Sequence, residues 1–419
     1  MADQEARGGT LIAGGGFAGS YVARLLGGRS STIVSTENFM LFTPMLPEAA
    51  SGTLEPRHVV VPIRQMCPHS DLVVGQVTAH DPDRRRLQVM TEDRVFWIRY
   101  EQLVIALGSV VRTLPIPGLA EYALGFKSLG EAIHLRNHVL QRLEAASAAT
   151  TEAHRRRELT FVFVGAGYAG VEALAELADL VRDALRYYPS LQSEPQHWVL
   201  VDAAPKILPE IPTRLGDYAA ELLMRRGVDI RVETRLEEVE PHAARLSDGD
   251  RLLTSTVVWT AGVRANPLLG ELSLPLDERG RVKVDEHLRV EGAERIWSLG
   301  DCAAVPNQAT PGMVDPPTSQ HALRQARRLA KNLRGDLRPY RYRMLGEVAT
   351  LGRYRGIASV FGIPLKGFLG WWVTRTYHLY QLPLFSRKLR VVTDWTVALL
   401  FRRDIAELGT LERPRELGA

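Results

Sequence analysis

The sequence predicts an α/β protein of two Rossmann-like dinucleotide-binding domains followed by a helical, basic and aromatic C-terminal region. Three observations carry that prediction: GGGFAG at 14–19 after an apolar run, GAGYAG at 165–170 after another, and a cluster of Arg, Lys and Trp beyond 351. At 419 residues the chain is longer than one ordinary domain. Its 45% hydrophobic and 24% charged residues are those of a folded chain. That balance excludes disorder, collagen-like repeats and a multi-span membrane protein.

The elements follow in order. Residues 10–13 form a short apolar strand that enters the first glycine turn, 20–26 suit a helix, and 31–34 read as the next strand. Strand, glycine turn, helix and strand open a doubly wound sheet. Residues 103–106 are another buried strand, and PIPGL at 115–119 breaks the chain as a domain crossing would. SLGE at 128–131 is a capping box for a helix to about 149. HRRREL is expected as a solvated turn before the buried strand LTFVFV at 159–164. GAGYAG and the helical VEALAELADLVRDAL follow, then the strand HWVLVD at 197–202. RLLTSTVVWTAG at 251–262 parallels YEQLVIALG of the first half, RIWSLGD ends a strand at Gly300–Asp301, and 316–333 reads as a proline-started helix. The expected domains are 1–118 with 282–345, 119–281, and 346–419.

In each Gly-x-Gly-x-x-Gly the first glycine (Gly14, Gly165) permits a tight turn. The second (Gly16, Gly167) admits a pyrophosphate to the backbone, and the third (Gly19, Gly170) lets helix and strand close up. The helix amides then face the phosphate charge. Asp202 ends the strand after the second turn, where a carboxylate accepts ribose hydroxyls and repels a 2′-phosphate, favouring NADH over NADPH. The first unit has Ser35 at that place, with Glu37 two positions on as the substitute. Asp301, at the end of a strand, suits a ribityl hydroxyl. Two dinucleotides in one chain suit electron transfer from a nicotinamide to a flavin.

Nine basic residues between 351 and 403 face only Asp394, so this stretch carries +8 and the remainder −4. Interleaved with Trp371, Trp372 and Trp395, they suit an anionic lipid surface. No recognised nucleic-acid module accompanies them. The apolar runs 356–373 and 391–401 are interrupted by Pro364, Lys366 and Asp394 and fall short of the roughly 18–20 residues of a span, so both read as interfacial helices. Cys67 and Cys302 lie far apart without a Cys-x-x-Cys, which argues against a disulfide scaffold, a cysteine-ligated metal or a dithiol redox centre. The N-terminal residues carry no secretion signal, and a cytoplasmic protein is expected.

GGGFAG, NFMLFTPMLPEAASG, LVIALGS, GAGYAGVEALAEL, VVWTAGV with ANP, SLGDCAAVP and PPTSQHALRQA, in this order, resemble the type II NADH:quinone oxidoreductases. These are single-subunit, non-pumping flavoproteins, and GFLGWWVTRTYHLYQLP to DWTVALLFRRDIAEL resembles their membrane-anchoring tail. The resemblance implies non-covalent FAD at Gly14, Gly16, Gly19, Glu37, Gly108, Gly300 and Asp301, with Thr43 and Pro44 by its ring system. It implies NADH at Gly165, Gly167, Gly170, Asp202 and Gly262. Glu172 matches a family glutamate near flavin and nicotinamide, and Ser319, Gln320 and Ala322 map to the quinone-site helix. The second glutamine of that helix is here Arg324, with Gln325 beside it.

The implied activity is NADH oxidation with two-electron transfer to a membrane quinone, ping-pong and without proton pumping, with Glu172 and Gln320 as catalytic residues. No metal is expected, a homodimer is possible within the family, and the implied place is the cytoplasmic face of the membrane. Two further readings of the same residues are an NADH-dependent reductase of another small molecule and a non-catalytic FAD/NADH sensor.

Overall fold

The computed structural model describes residues 4–344 and 346–407, so residues 408–419 of the expected C-terminal region lie outside it. The chain folds into two compact units, each drawn from separate stretches of sequence. Unit one takes the described residues to Phe42, Val60–Val110 and Val263–Met344. Unit two takes Thr43–Val59, Val111–Gly262 and the described residues from 346 onward. Residues 263–281 thus belong with unit one and 43–59 with unit two, and the C-terminal residues fold as part of unit two.

Unit one is built on a five-stranded parallel sheet in the order Ile296–Ser298, Gln102–Ile105, Thr10–Ala13, Ser31–Ser35, Ser70–Val74. Ile12 pairs with Val104 on one side and Ile33 on the other, and all three are fully buried. A central parallel strand has both faces covered, so it reads as an unbroken apolar run. The helix Phe17–Leu25 leaves the first strand and packs on Ser319–Leu333. The latter starts at Ser319 rather than at the prolines, because the Thr318 hydroxyl accepts the His321 N–H and caps it.

Unit two repeats the plan: a parallel sheet in the order Ala123–Gly125, Thr256–Trp259, Thr160–Val164, His197–Val201, Val228–Arg231. The Phe161 and Trp198 rings stack at 4.4 Å across neighbouring strands. The capping box forms, with Ser128 and Glu131 exchanging hydrogen bonds at the head of Leu129–Ser147. HRRREL is not a turn. Glu152–Glu158 is a helix capped by Thr151, and its last residue is buried against Arg142 and Arg157.

The C-terminal residues depart further from expectation. Gly346–Thr350, Gly356–Val360 and Ile363–Lys366 form an antiparallel sheet, so half of the expected helix at 356–373 is a hairpin. β-Branched residues ahead of Gly362, at φ +81°, favour the turn. Two helices follow, Gly367–Gln381 and Phe385–Leu400. Among the described residues no helix is long and apolar enough to cross a membrane.

Candidate active site: two glycine turns and a buried carboxylate

The two glycine turns match in backbone φ, hydrogen bonding and Cβ clearance. Gly14 and Gly165 take φ of +116° and +111°, and their amides donate to Val34 and Val201 at 2.8 Å. A Cβ on Gly19 would lie 1.9 Å from the Gly14 carbonyl oxygen, and one on Gly170 would lie 1.9 Å from that of Gly165. Both third positions are therefore closed to any side chain. Gly16 and Gly167 are the reverse: a Cβ there would meet nothing within 4 Å. Each is the N-cap of its helix and offers no side chain to the first amides. Open space in front of uncapped helix amides is what a pyrophosphate requires. The residues present therefore fit two dinucleotides.

In unit one, Gly108 and Gly300–Asp301 come to the same end of the sheet as the first turn. A Cβ on Gly300, at φ +75°, would lie 3.0 Å from Ala18 Cβ, just inside the first helix. The Ser109 hydroxyl donates to Asp301 at 2.6 Å, which fixes that carboxylate beside Gly108. Gln325 accepts the Gly300 N–H at 2.8 Å and donates to Asp315 at 2.9 Å. Asp315 also takes His321 Nδ1 at 2.5 Å, and these bonds hold its carboxyl below the usual range despite burial. Gln325 is thus buried under the Gly300 turn and does not substitute for the missing quinone-helix glutamine. Gln320 lies on the opposite side of that helix, where Tyr342 donates to it at 3.4 Å, and Arg324 sits 5.3 Å over the Tyr342 ring.

Ser35 is buried against the first turn: a Cβ on Gly15 would lie 2.4 Å from its hydroxyl. Glu37 is exposed, and its amide donates to Ser35 Oγ at 3.3 Å. Thr43 and Pro44 lie in the short turn Thr43–Met45, with Thr43 exposed.

In unit two, Asp202 follows the strand His197–Val201 and braces the second turn. Its Oδ2 accepts the Ala166 N–H at 2.5 Å and its Oδ1 accepts the Ala204 N–H at 2.7 Å. The Thr260 hydroxyl donates to Gly165 O at 2.9 Å, which brings the Gly262 turn, at φ +94°, to the same place.

Glu172 stands two residues past Gly170 on the helix Tyr168–Ala184 and is buried. Its Oε1 accepts the Thr350 amide at 2.8 Å and the Thr350 hydroxyl at 3.1 Å. Burial pushes its carboxyl up to about 8, the Thr350 bonds pull it down, and nearby Glu176 and Glu48 add to the rise. At neutral pH the acid is largely protonated. Spacings of four, three and four then place Glu176, Asp179 and Asp183 on the same helix face, all buried.

That acidic ladder takes up part of the basic stretch. Arg403 donates to Glu176 at 2.7 Å and to Asp183 at 3.3 Å, and the Arg353 amide donates to Asp179 at 2.6 Å. Arg375 binds Glu48 at 2.8 Å between the rings of Trp371 and Trp395, whose indole N–H also reaches Glu48 at 2.7 Å. Of the nine basic residues Arg375 and Arg403 are thus buried on acids, five are half-buried, and Arg390 and Arg402 are exposed. Apolar side chains face out beside them: Phe361, Phe368, Trp372, Phe385, Leu400 and Phe401 are exposed. Spacing along the helix was the local signal that could have revealed its acidic face. The partners, lying some 200 residues later, had no local signal.

Cys67 and Cys302 are both buried free thiols. Cys67 donates to Ser20 O, and burial raises it to about 12; burial raises Cys302 as well. Neither supplies a thiolate for disulfide chemistry.

Two helix-borne pyrophosphate cradles on two parallel sheets define the class: an oxidoreductase of two-dinucleotide architecture. The sequence profile of the pyridine nucleotide-disulphide oxidoreductases matches residues 9–326. A probable NADH dehydrogenase of Dictyostelium discoideum is 32% identical over 390 residues, covering 90% of this chain and 85% of that protein. The type II NADH:quinone oxidoreductase Ndh of Mycobacterium tuberculosis is 28% identical, covering 94% and 88%. The solved structure of NDH2 from Plasmodium falciparum in complex with NADH shares the fold, with TM-score 0.88 at 18% identity over 96% of this chain and all of that one. The chain belongs to the pyridine nucleotide-disulphide oxidoreductase family, in its type II NADH:quinone oxidoreductase branch.

Proposed function

We propose that this protein oxidises NADH and passes two electrons to a quinone, with FAD held non-covalently between the two half-reactions. The observation that carries the reading is the pair of matched glycine turns, each opening onto an uncapped helix. Bound FAD supplies the two-electron acceptor for the nicotinamide hydride and the donor for quinone. Gly14, Gly16 and Gly19 hold its pyrophosphate, and Asp301, steadied by Ser109, takes a ribityl hydroxyl. Glu37 is left to the outer ribose, and Gly108 and Gly300 line the approach to the ring system. Gly165, Gly167 and Gly170 hold the NADH pyrophosphate. Asp202 has both carboxylate oxygens partly engaged by turn amides and keeps lone pairs for the ribose hydroxyls. Gly262, with nothing in reach of a Cβ, lets the nicotinamide half pass.

Quinone reduction consumes two protons, and Glu172, protonated at neutral pH, is the residue that holds one. Gln320 offers its amide to the quinone carbonyl. The exposed apolar side chains of the two C-terminal helices support docking to a lipid surface, on the cytoplasmic face where NADH is available. Anaerobic NADH is expected to bleach the flavin absorbance, and added quinone to restore it. Flavin that stays oxidised under NADH would exclude the activity.

A further inference from the structure

The face of the helix Ser319–Leu333 that carries Gln320 also carries a cation without a counter-ion. Arg324 lies one turn beyond Gln320 on that face. Both meet one side chain: Tyr342 donates to Gln320 Oε1 at 3.4 Å, and the Arg324 guanidinium lies 5.3 Å from the Tyr342 ring. Tyr342 is fixed in turn, its amide donating to Asn307 at 3.0 Å and its ring meeting His321 edge-on at 5.4 Å. The shared tyrosine therefore sets the Arg324 charge beside the Gln320 amide.

A guanidinium taken out of water ordinarily comes with an acid. Arg226, Arg375 and Arg403 follow that rule, on Asp179, Glu48 and Glu176. Arg324 does not: it is half-buried, and no carboxylate among the described residues pairs with it. Asp315, on the loop before this helix, is already taken by His321 Nδ1 at 2.5 Å and by the Asn307 and Gln325 amides at 2.9 Å. Arg324 Nη1 is sealed from solvent and has no acceptor, so that atom offers no bond to a ligand. What the helix face holds is an uncompensated positive charge, which acts through space.

Quinone reduction makes the matching negative charge. Two electrons and one proton leave one quinone oxygen as a hydroxyl and the other as an oxyanion, and a second proton completes the quinol. In the proposed reaction the electrons come from reduced FAD, Glu172 holds one proton, and water supplies the other. The geometry points to Arg324 as the charge that stabilises the quinol oxyanion formed beside Gln320. A guanidinium gives charge and not a proton, so this role is separate from that of Glu172. A fixed charge aimed where charge develops favours the transition state over the neutral quinone. The role rests on the reading that quinone meets Gln320, and it adds a preference to that reading: the site takes an anionic quinone over a neutral one of the same shape. Packing of Arg324 on Tyr342 alone gives no such preference.

The test uses the FAD-bound full-length protein and two probes, a hydroxynaphthoquinone that is ionised at neutral pH and its neutral methoxy analogue. Binding to the oxidised protein is titrated by calorimetry, with no turnover. The parent is expected to bind the ionised probe about tenfold more tightly, the size of one partly buried neighbouring charge. Arg324→Gln is expected to lose that preference and keep its affinity for the methoxy analogue, and Arg324→Lys, which conserves the charge, to retain most of the preference. An equal loss of both probes in Arg324→Gln would reduce the residue to packing and overturn the role. A preference absent from the parent, or unchanged in Arg324→Gln, would overturn it too. Stopped-flow mixing then separates the two readings. In Arg324→Gln, bleaching by NADH is expected to match the parent, and reoxidation by a neutral naphthoquinone to be about tenfold slower. A parent that no quinone reoxidises would refute quinone as the acceptor. A parent that is reoxidised, with Arg324→Gln equally fast, would refute the role of Arg324 alone.

Discussion

Glu172→Gln tests whether the acid at the base of the second helix is held as a neutral carboxyl. Glutamine keeps an oxygen for the two Thr350 donors and cannot ionise. The folded carboxyl titrates near 8, against an ordinary 4.5. Because the folded value is the higher, folding takes up a proton between these two pH values. Glu172 therefore weakens the fold progressively as pH rises from 4.5 to 8, and the loss is complete above 8. At about 1.36 kcal/mol per pKa unit the full penalty is about 5 kcal/mol. It amounts to about 3 kcal/mol at pH 7 and less than about 1 kcal/mol at pH 5. Glu48 and Glu176 face the same site, and their charge is part of the rise. Thermal melts of the flavin-loaded parent and Glu172→Gln, followed by flavin release at pH 5, 7 and 8.5, read the difference. The variant is expected to be nearly equal at pH 5 and increasingly more stable toward pH 8.5. A gap that does not change with pH would refute a neutral Glu172.

The remaining expectations concern the cradles and the ladder. Gly19→Ala places a methyl 1.9 Å from the Gly14 carbonyl and is expected to purify without flavin. Gly170→Ala, with the same clash in unit two, is expected to keep its yellow colour and lose bleaching by NADH; the visible spectrum checks both. Gln325→Ala strands the Gly300 amide and one partner of Asp315, and is expected to weaken FAD retention by about 2–4 kcal/mol in dialysis against apoprotein. Arg403→Ala leaves Glu176 as a buried acid without a cation and Asp183 with only the longer Arg353 contact. With Arg353 still 3.9 Å from Asp183, it is expected to lower stability by about 3 kcal/mol in a thermal melt, with Arg403→Lys between it and the parent.

The parts legible in the sequence were those with a local physical cause. Each glycine turn announces itself because Gly14 and Gly165 need a left-handed backbone and Gly19 and Gly170 leave no room for a Cβ. The central strands were visible because burial on both faces makes them apolar throughout, as in Thr160–Val164. The capping box at Ser128 and Glu131 is a four-residue signal and formed as read. What sequence reasoning missed was set at a distance. Nothing near Gln325 says that its side chain meets the Gly300 amide, and nothing near Thr350 says that it meets Glu172. Gly356–Val360 looked helical by hydropathy alone, whereas its antiparallel pairing with Gly346–Thr350 decides its structure. The basic stretch is only partly legible, since Arg375 and Arg403 turn inward while Arg390 and Arg402 stay exposed. Charge counted along a chain does not say which way it points, and here the acids that face it lie on a helix far upstream.

The ladder also sets an order in time. Arg403 lies 227 positions after Glu176, so during synthesis the helix Tyr168–Ala184 waits for its counter-charge. At roughly 5–20 residues per second that wait is about ten to fifty seconds of translation. Until then the nascent unit holds glutamates and aspartates that a dry interior does not tolerate. The second nucleotide-gripping unit is expected to mature only after the ribosome has delivered its last arginines. Chains stalled before Arg403 should be cut readily by protease within 168–184, while the released full-length chain resists.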